Sequence, residues 1–206
     1  SDEILSQLKL SKKDKPIIVS VGNYAASGGY YIACAADKIL ASPMTITGSI
    51  GVFGLFFTAE ELLTKKMKMH YSNVKTNKFS NLGELHRNLS NKEKEFIQIS
   101  VENTYNDFIT HVSEGRKMDI QDVDNLGQGR VWTGLRGLEI GLVDSLGGLT
   151  DAIDIAMQLA NIDDVKIEEF PKTKSNIDAF LETFENAKKL SIKNVDEIYL
   201  ENLEKK

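Results

Sequence analysis

The run Tyr24-Ala25-Ala26-Ser27-Gly28-Gly29-Tyr30-Tyr31-Ile32-Ala33 changes character at its centre. Upstream, Ile17-Ile18-Val19-Ser20-Val21 is a short β-branched run closed by Gly22, with helix-forming sequence on either side. Such a run reads as a buried parallel strand. Residues 24–29 read as a small-residue turn and residues 30–36 as a helix whose Ala33, Ala35 and Ala36 allow close backbone packing. Ser27 therefore sits where strand gives way to helix. Lys38-Ile39-Leu40-Ala41 is a second short strand, and Pro43 opens a loop. Thr47-Gly48-Ser49-Ile50-Gly51-Val52-Phe53-Gly54 then forms a glycine-punctuated turn leading to Phe56 and Phe57.

Working outward, helices are expected over 1–10, behind a Ser/Asp cap, and over 60–66, with a strand over 69–74. The strongest helical signal begins at Ser90, with Glu93 completing a capping box and apolar Phe96, Ile97, Val101, Tyr105, Phe108, Ile109 and Val112 at spacings of three and four. Gly115 is expected to stop this helix near Arg116 and Lys117. Short helices over 120–126 and 135–140, an extended piece over 130–132 and a helix over 149–159 complete the first domain, 1–160. The remainder, 161–206, reads as an extension: a strand over 165–171 ended by Pro171, then a charged helical tail over 177–203 suited to docking or oligomerisation.

Composition narrows the function. The 206 residues are 41% hydrophobic and carry 25 Lys and Arg against 30 Asp and Glu, a formal charge of -5. That is one domain with a sizeable core and without the basic field that nucleic acid requires. Cys34 is the single cysteine, which excludes an intrachain disulfide, and with three histidines it offers no zinc-ligand spacing. No cofactor is expected. No apolar run approaches the roughly 18–20 residues that span a bilayer. No leader with a cleavage site opens the chain, so as given it reads as soluble. It begins without Met in what already reads as a helix, which suggests a piece of something longer.

The chemistry centres on Ser27. A serine hydroxyl must be aimed, relieved of its proton and flanked by oxyanion donors before it can act as a nucleophile. Gly28 and Gly29 leave room for an approaching carbonyl, and their amides lie at a helix amino end. The same pattern also reads as a helix cap beside packed glycines. For a base, His70, His86 and His111 lack a compelling setting, His111 reading as a surface or boundary residue. The other possibility is a lysine kept neutral by burial, which lowers its pKa, with Lys75 and Lys78 as candidates.

The decapeptide at 24–33, with Ala36-Asp37-Lys38-Ile39 and the 47–54 turn, resembles the signal peptide peptidase A (SppA, protease IV) family. Further matching stretches are Val101-Glu102-Asn103-Thr104-Tyr105 with Phe108, Gly129-Arg130-Val131-Trp132-Thr133-Gly134, and Gly141-Leu142-Val143-Asp144-Ser145-Leu146-Gly147-Gly148. The resemblance covers about residues 1–160. It implies an α/β fold, a ClpP/crotonase-like spiral of β-β-α units, here with the helical tail appended. It also implies a serine protease with a Ser-Lys dyad that degrades signal peptides left in the membrane. Ser27 is then the nucleophile, Ser49 orients the lysine, and Gly28 and Gly29 serve the oxyanion and substrate backbone.

Short forms of the family carry serine and lysine in one domain, and a gap-free match brings Lys78 to the lysine position. Long forms draw the lysine from a separate amino-terminal half. The wording Lys75-Thr76-Asn77-Lys78-Phe79-Ser80 is similar to the carboxyl-terminal half of a long form, in which Lys78 would be idle and this chain alone inactive. The absence of the family's upstream glycine-rich strip leads to the same expectation. The resemblance further implies peptide substrates, a homo-oligomeric ring, and an anchor outside this chain that holds the parent in the bacterial cytoplasmic membrane with this domain outside the cytosol. A self-sufficient Ser27/Lys78 peptidase, a non-catalytic assembly module and an acyl-CoA enzyme are the rivals.

Overall fold

The computed structural model describes residues 1–171. The chain divides into two compact units, Ser1–Asp163 and Asp164–Lys206, and every element named below belongs to the first. The helix expected over 177–203 lies outside the described residues. The strand expected over 165–171 does not form: the alternation of Val165 and Ile167 finds no pairing strand among the described residues, and Ile167 and Phe170 are exposed.

The elements run α1 (Asp2–Ser11), β1 (Ile18–Val21), β2 (Tyr24–Ala26), α2 (Gly28–Ala33), β3 (Lys38–Ala41) and β4 (Ile46–Gly48). A short π-helix (Glu61–Lys66) follows, then α3 (Asn91–Arg116), α4 (Ile120–Leu126), β5 (Val131–Thr133), α5 (Gly134–Glu139), β6 (Ser145–Leu146) and α6 (Leu149–Ala160). They build a mixed α/β structure with two three-stranded sheets. One is all parallel, in the order β1-β3-β6; the other, β2-β4-β5, pairs β2 and β4 in parallel and β4 and β5 antiparallel. The first two strand pairs thus repeat a pattern: β1 and β3 enter one sheet, and β2 and β4, a few residues later, enter the other.

Two sequence expectations are corrected here. Residues 24–26, read as turn, form β2, because a parallel partner at 46–48 supplies the hydrogen bonds that three small residues do not advertise by themselves. Residues 69–74 form no strand; no described strand lies beside them, and Val74 is fully exposed.

The core lies between the parallel sheet and α2, α3 and α4. Tyr30, Cys34, Ile39, Ile50, Val112, Val123 and Leu142 are wholly buried in it, each large aliphatic contributing roughly 1.5–3 kcal/mol relative to exposure. The Tyr30 hydroxyl donates to Leu142 O at 2.9 Å, so the one polar atom that this side chain takes inside is satisfied. At the edge of the core Asp144 accepts from Ile39 N at 2.8 Å and from Arg116 Nη1 at 2.8 Å. Burial opposes the Asp144 charge, but these bonds and Lys38 hold its carboxyl below the ordinary range. The carboxylate thereby ties the end of α3 to β3.

Helix α3 starts as its sequence requires. Glu93 N donates to Ser90 Oγ, Ser90 N donates to Glu93 Oε2 at 2.8 Å, and Arg87 grips the same carboxylate with both terminal nitrogens. Its end differs from expectation. Gly115 is inside the helix, and Lys117, at φ 55°, is the left-handed residue that closes it. Glycine is needed at 115 for a different reason: a Cβ there would lie 2.1 Å from Cys34 O, at the end of α2.

Candidate active site

The parallel register of β2 and β4 places Ala26 opposite Gly48. One step further along the same register, Ser27 and Ser49 leave the carboxyl ends of neighbouring strands, which lie about 4.8 Å apart in a sheet. Ser27 N still donates to Gly48 O at 2.9 Å, locking the two ends together. Both serines have left-handed backbone, φ 53° at Ser27 and φ 48° at Ser49. For residues with a Cβ this conformation is uncommon, and such outliers concentrate at functional sites.

Ser27 occupies the N-cap position of α2, yet it is not a capping serine. Its φ of 53° and ψ of -122° lie outside the extended region that N-caps use, and its hydroxyl makes no cap bond. The strained turn instead leaves Ser27 exposed on a cavity of about 710 Å³. The first helical bond runs from Tyr31 N to Ser27 O. The amides of Gly28 and Gly29 therefore precede the helical ladder, at the end where backbone dipoles favour negative charge. Gly28 lines the cavity, and a Cβ on it would come within 2.8 Å of Ser1 Oγ.

The rest of the cavity wall combines four segments, the first being Ser1 and Asp2 at the start of α1. Gly51, Val52 and Phe53 come from the loop after β4, Tyr31 from α2, and Thr104, Asp107, Phe108 and His111 from α3. The last four are spaced by three and four residues, one face of a helix. The sequence pattern presents Phe108 as core and His111 as boundary; that this face walls a cavity depends on where α2 and the loop after β4 lie. The Tyr31 hydroxyl donates to Asp2 Oδ1 at 3.0 Å, and burial, then this bond, pushes the phenol up to about 12. His111 has its Nδ1 3.1 Å from Lys9 Nζ, which can only donate, and its ring stands edge-on to Tyr31 at 5.5 Å. Its Nδ1 is thus engaged by Lys9 while the ring lines the cavity.

The two remaining site expectations separate. Ser49 is half-buried beside the Ser27 turn, its amide bonded to Arg130 O at 2.8 Å. Lys78 is exposed, its ammonium 5.8 Å from the centroid of the Phe79 ring, and it is not among the residues lining the cavity. Among the described residues no helix is long and apolar enough to cross a membrane.

A serine with unusual backbone thus faces a cavity just ahead of the first amides of α2. The family model for Peptidase family S49 matches residues 9–163, so the chain belongs to that peptidase family. Protease 4 of Salmonella typhi is 37% identical over 169 residues, 82% of this chain and 27% of the relative. Protease 4 of Haemophilus influenzae is 40% identical over 162 residues, 78% of this chain and 26% of the relative. Serine protease SPPA, chloroplastic, of Arabidopsis thaliana is 39% identical over 163 residues, 79% and 24% respectively. The chain spans about a quarter of the length of these curated relatives.

Proposed function

We propose that this chain is the nucleophile-bearing part of an SppA-type serine endopeptidase that uses a Ser-Lys dyad. In this reading a neutral lysine amine takes the Ser27 proton as Oγ bonds to the scissile carbonyl carbon. The amides at Gly28 and Gly29 hold the oxyanion, the lysine returns the proton to the leaving nitrogen as the C–N bond breaks, and water hydrolyses the acyl-enzyme. Ser49 holds the amine toward Ser27. The observation that carries this is the left-handed Ser27 at the junction of β2 and α2, exposed on the cavity and free of a capping role.

The exposed position of Lys78, away from the cavity wall, favours a lysine supplied from outside these 206 residues, as in the long form of the family. The repeated strand pairs, split between two sheets, support the ClpP/crotonase-like β-β-α spiral. The substrates in this account are signal peptides remaining in the bacterial cytoplasmic membrane. The parent is anchored there by a segment other than those described, with the domain on the extracytoplasmic side and subunits assembled as a ring.

Hydrolysis of an unstructured fluorogenic peptide by the enzyme at its natural full length tests the dyad. Ser27→Ala is expected to lower kcat by roughly 10⁴-fold or more, as loss of a nucleophile does, while Lys78→Ala retains turnover. Activity that survives Ser27→Ala refutes the nucleophile. Activity lost in Lys78→Ala, with the fold retained, shifts the assignment to a self-sufficient Ser27/Lys78 peptidase.

A further inference from the structure

The left-handed backbone at Ser49 is held from outside its own strand. The segment 127–130 lies against residues 49–51 as a strap: Ser49 N donates to Arg130 O and Gly129 N donates to Ile50 O, both at 2.8 Å. The fit is close enough that a Cβ on Gly51 would fall 2.6 Å from Gly129 Cα. The strap is itself unusual backbone, with Gln128 at φ 55° and Gly129 at φ 77°. Left alone, such a segment would relax. Gly127 N bonds back to Val123 O and the Arg130 guanidinium to Asn125 O and Gly127 O, and one side chain from α3 adds the tie to Gln128 N. The Tyr105 hydroxyl donates to Asp124 Oδ1 at 2.6 Å and accepts from Gln128 N at 3.1 Å, joining α3, α4 and the strap through a single oxygen. Gly127 has no Cβ where one would meet this hydroxyl at 2.8 Å.

We infer that Tyr105 and Asp124 are positioning residues for Ser49, fixing through the 127–130 strap the backbone that aims the second serine. The inference rests on the reading of Ser49 as the group that orients the lysine. Neither residue lines the Ser27 cavity, so neither touches substrate directly, and an effect through Ser49 is told from one through the Gly51 wall by its non-additivity with Ser49→Ala. Tyr105→Phe removes the shared oxygen, leaving the aromatic ring in the core while Gln128 N and Asp124 lose their partner.

The test is a double-mutant cycle on the full-length enzyme with the fluorogenic peptide, reading kcat, KM and thermal midpoint for Tyr105→Phe, Ser49→Ala and the pair. Ser49→Ala is expected to lower kcat by about 100-fold, within the range of proton-transfer groups. Tyr105→Phe should lower kcat about tenfold with KM changed less than about twofold. The double variant should be no slower than Ser49→Ala alone. Asp124→Asn, which keeps the acceptor oxygen, should retain most of the activity, whereas Asp124→Ala should match Tyr105→Phe. If Tyr105→Phe does not fold, Asp124→Ala carries the same cycle. Full kcat in Ser49→Ala overturns the reading of Ser49 and this inference with it. A damaged Ser49→Ala beside an undamaged Tyr105→Phe overturns the inference alone, as do losses that multiply independently.

Discussion

At the scale of single residues, two positions show how backbone geometry substitutes for side-chain chemistry. Ser27 gives up the extended conformation and cap bond of an ordinary N-cap, so its hydroxyl is left for the cavity. Gly115 does the reverse, adopting ordinary helical geometry because α2 and α3 approach until Cys34 O occupies the space of a side chain. Gly115→Ala must push these helices apart, and overpacking of this kind costs about 1–3 kcal/mol. Urea denaturation should show that loss, and unchanged stability would mean that the helices separate freely. The sequence made Ser27 conspicuous through the small residues around it. It misattributed Gly115, since a glycine near basic residues signals a helix end and a close crossing equally well.

At the scale of elements, α3 was the most legible piece, because its capping box and apolar spacing agree over 26 residues. What the pattern did not announce is Arg87, six residues upstream of Glu93 and outside the helix. Its guanidinium, followed by the Ser90 amide and hydroxyl, holds the Glu93 carboxyl down to about 2 from an ordinary 4.5. A depressed carboxylate stabilises the fold above its unfolded pKa and loses that contribution as pH falls through the folded one. Wild type should therefore exceed Glu93→Gln in stability at neutral pH, with the gap closing between about pH 4.5 and pH 2. A gap independent of pH, measured by urea titration across that window, would show that the ion pair is not its source. The strands were less legible. β1 and β3 declared themselves by β-branched and aliphatic runs, whereas β2 and β6 have three and two residues and exist through their partners. The failed strand at 69–74 is the converse: alternation without a neighbour.

At the scale of the molecule, the two sheets do one thing that no local pattern reveals. Residues 22 positions apart, Ser27 and Ser49, emerge side by side because β2 and β4 are parallel and in register. Sequence resemblance nominated both serines, and the register supplies a physical reason for their pairing. Helix α3, packed on α2, closes the cavity with a face that the sequence presents as boundary. The lysine that the proposed dyad requires is beyond reach from local pattern, since such a group's reactivity depends on burial and on which chain segment delivers it.

The central claim, that Ser27 is the nucleophile, is tested most directly by treating the full-length enzyme with a fluorophosphonate and locating the adduct by mass spectrometry. The account predicts one adduct, on Ser27, and none when the 206-residue chain is treated alone. An adduct on a different residue of the active enzyme, with Ser27 unmodified, would contradict it.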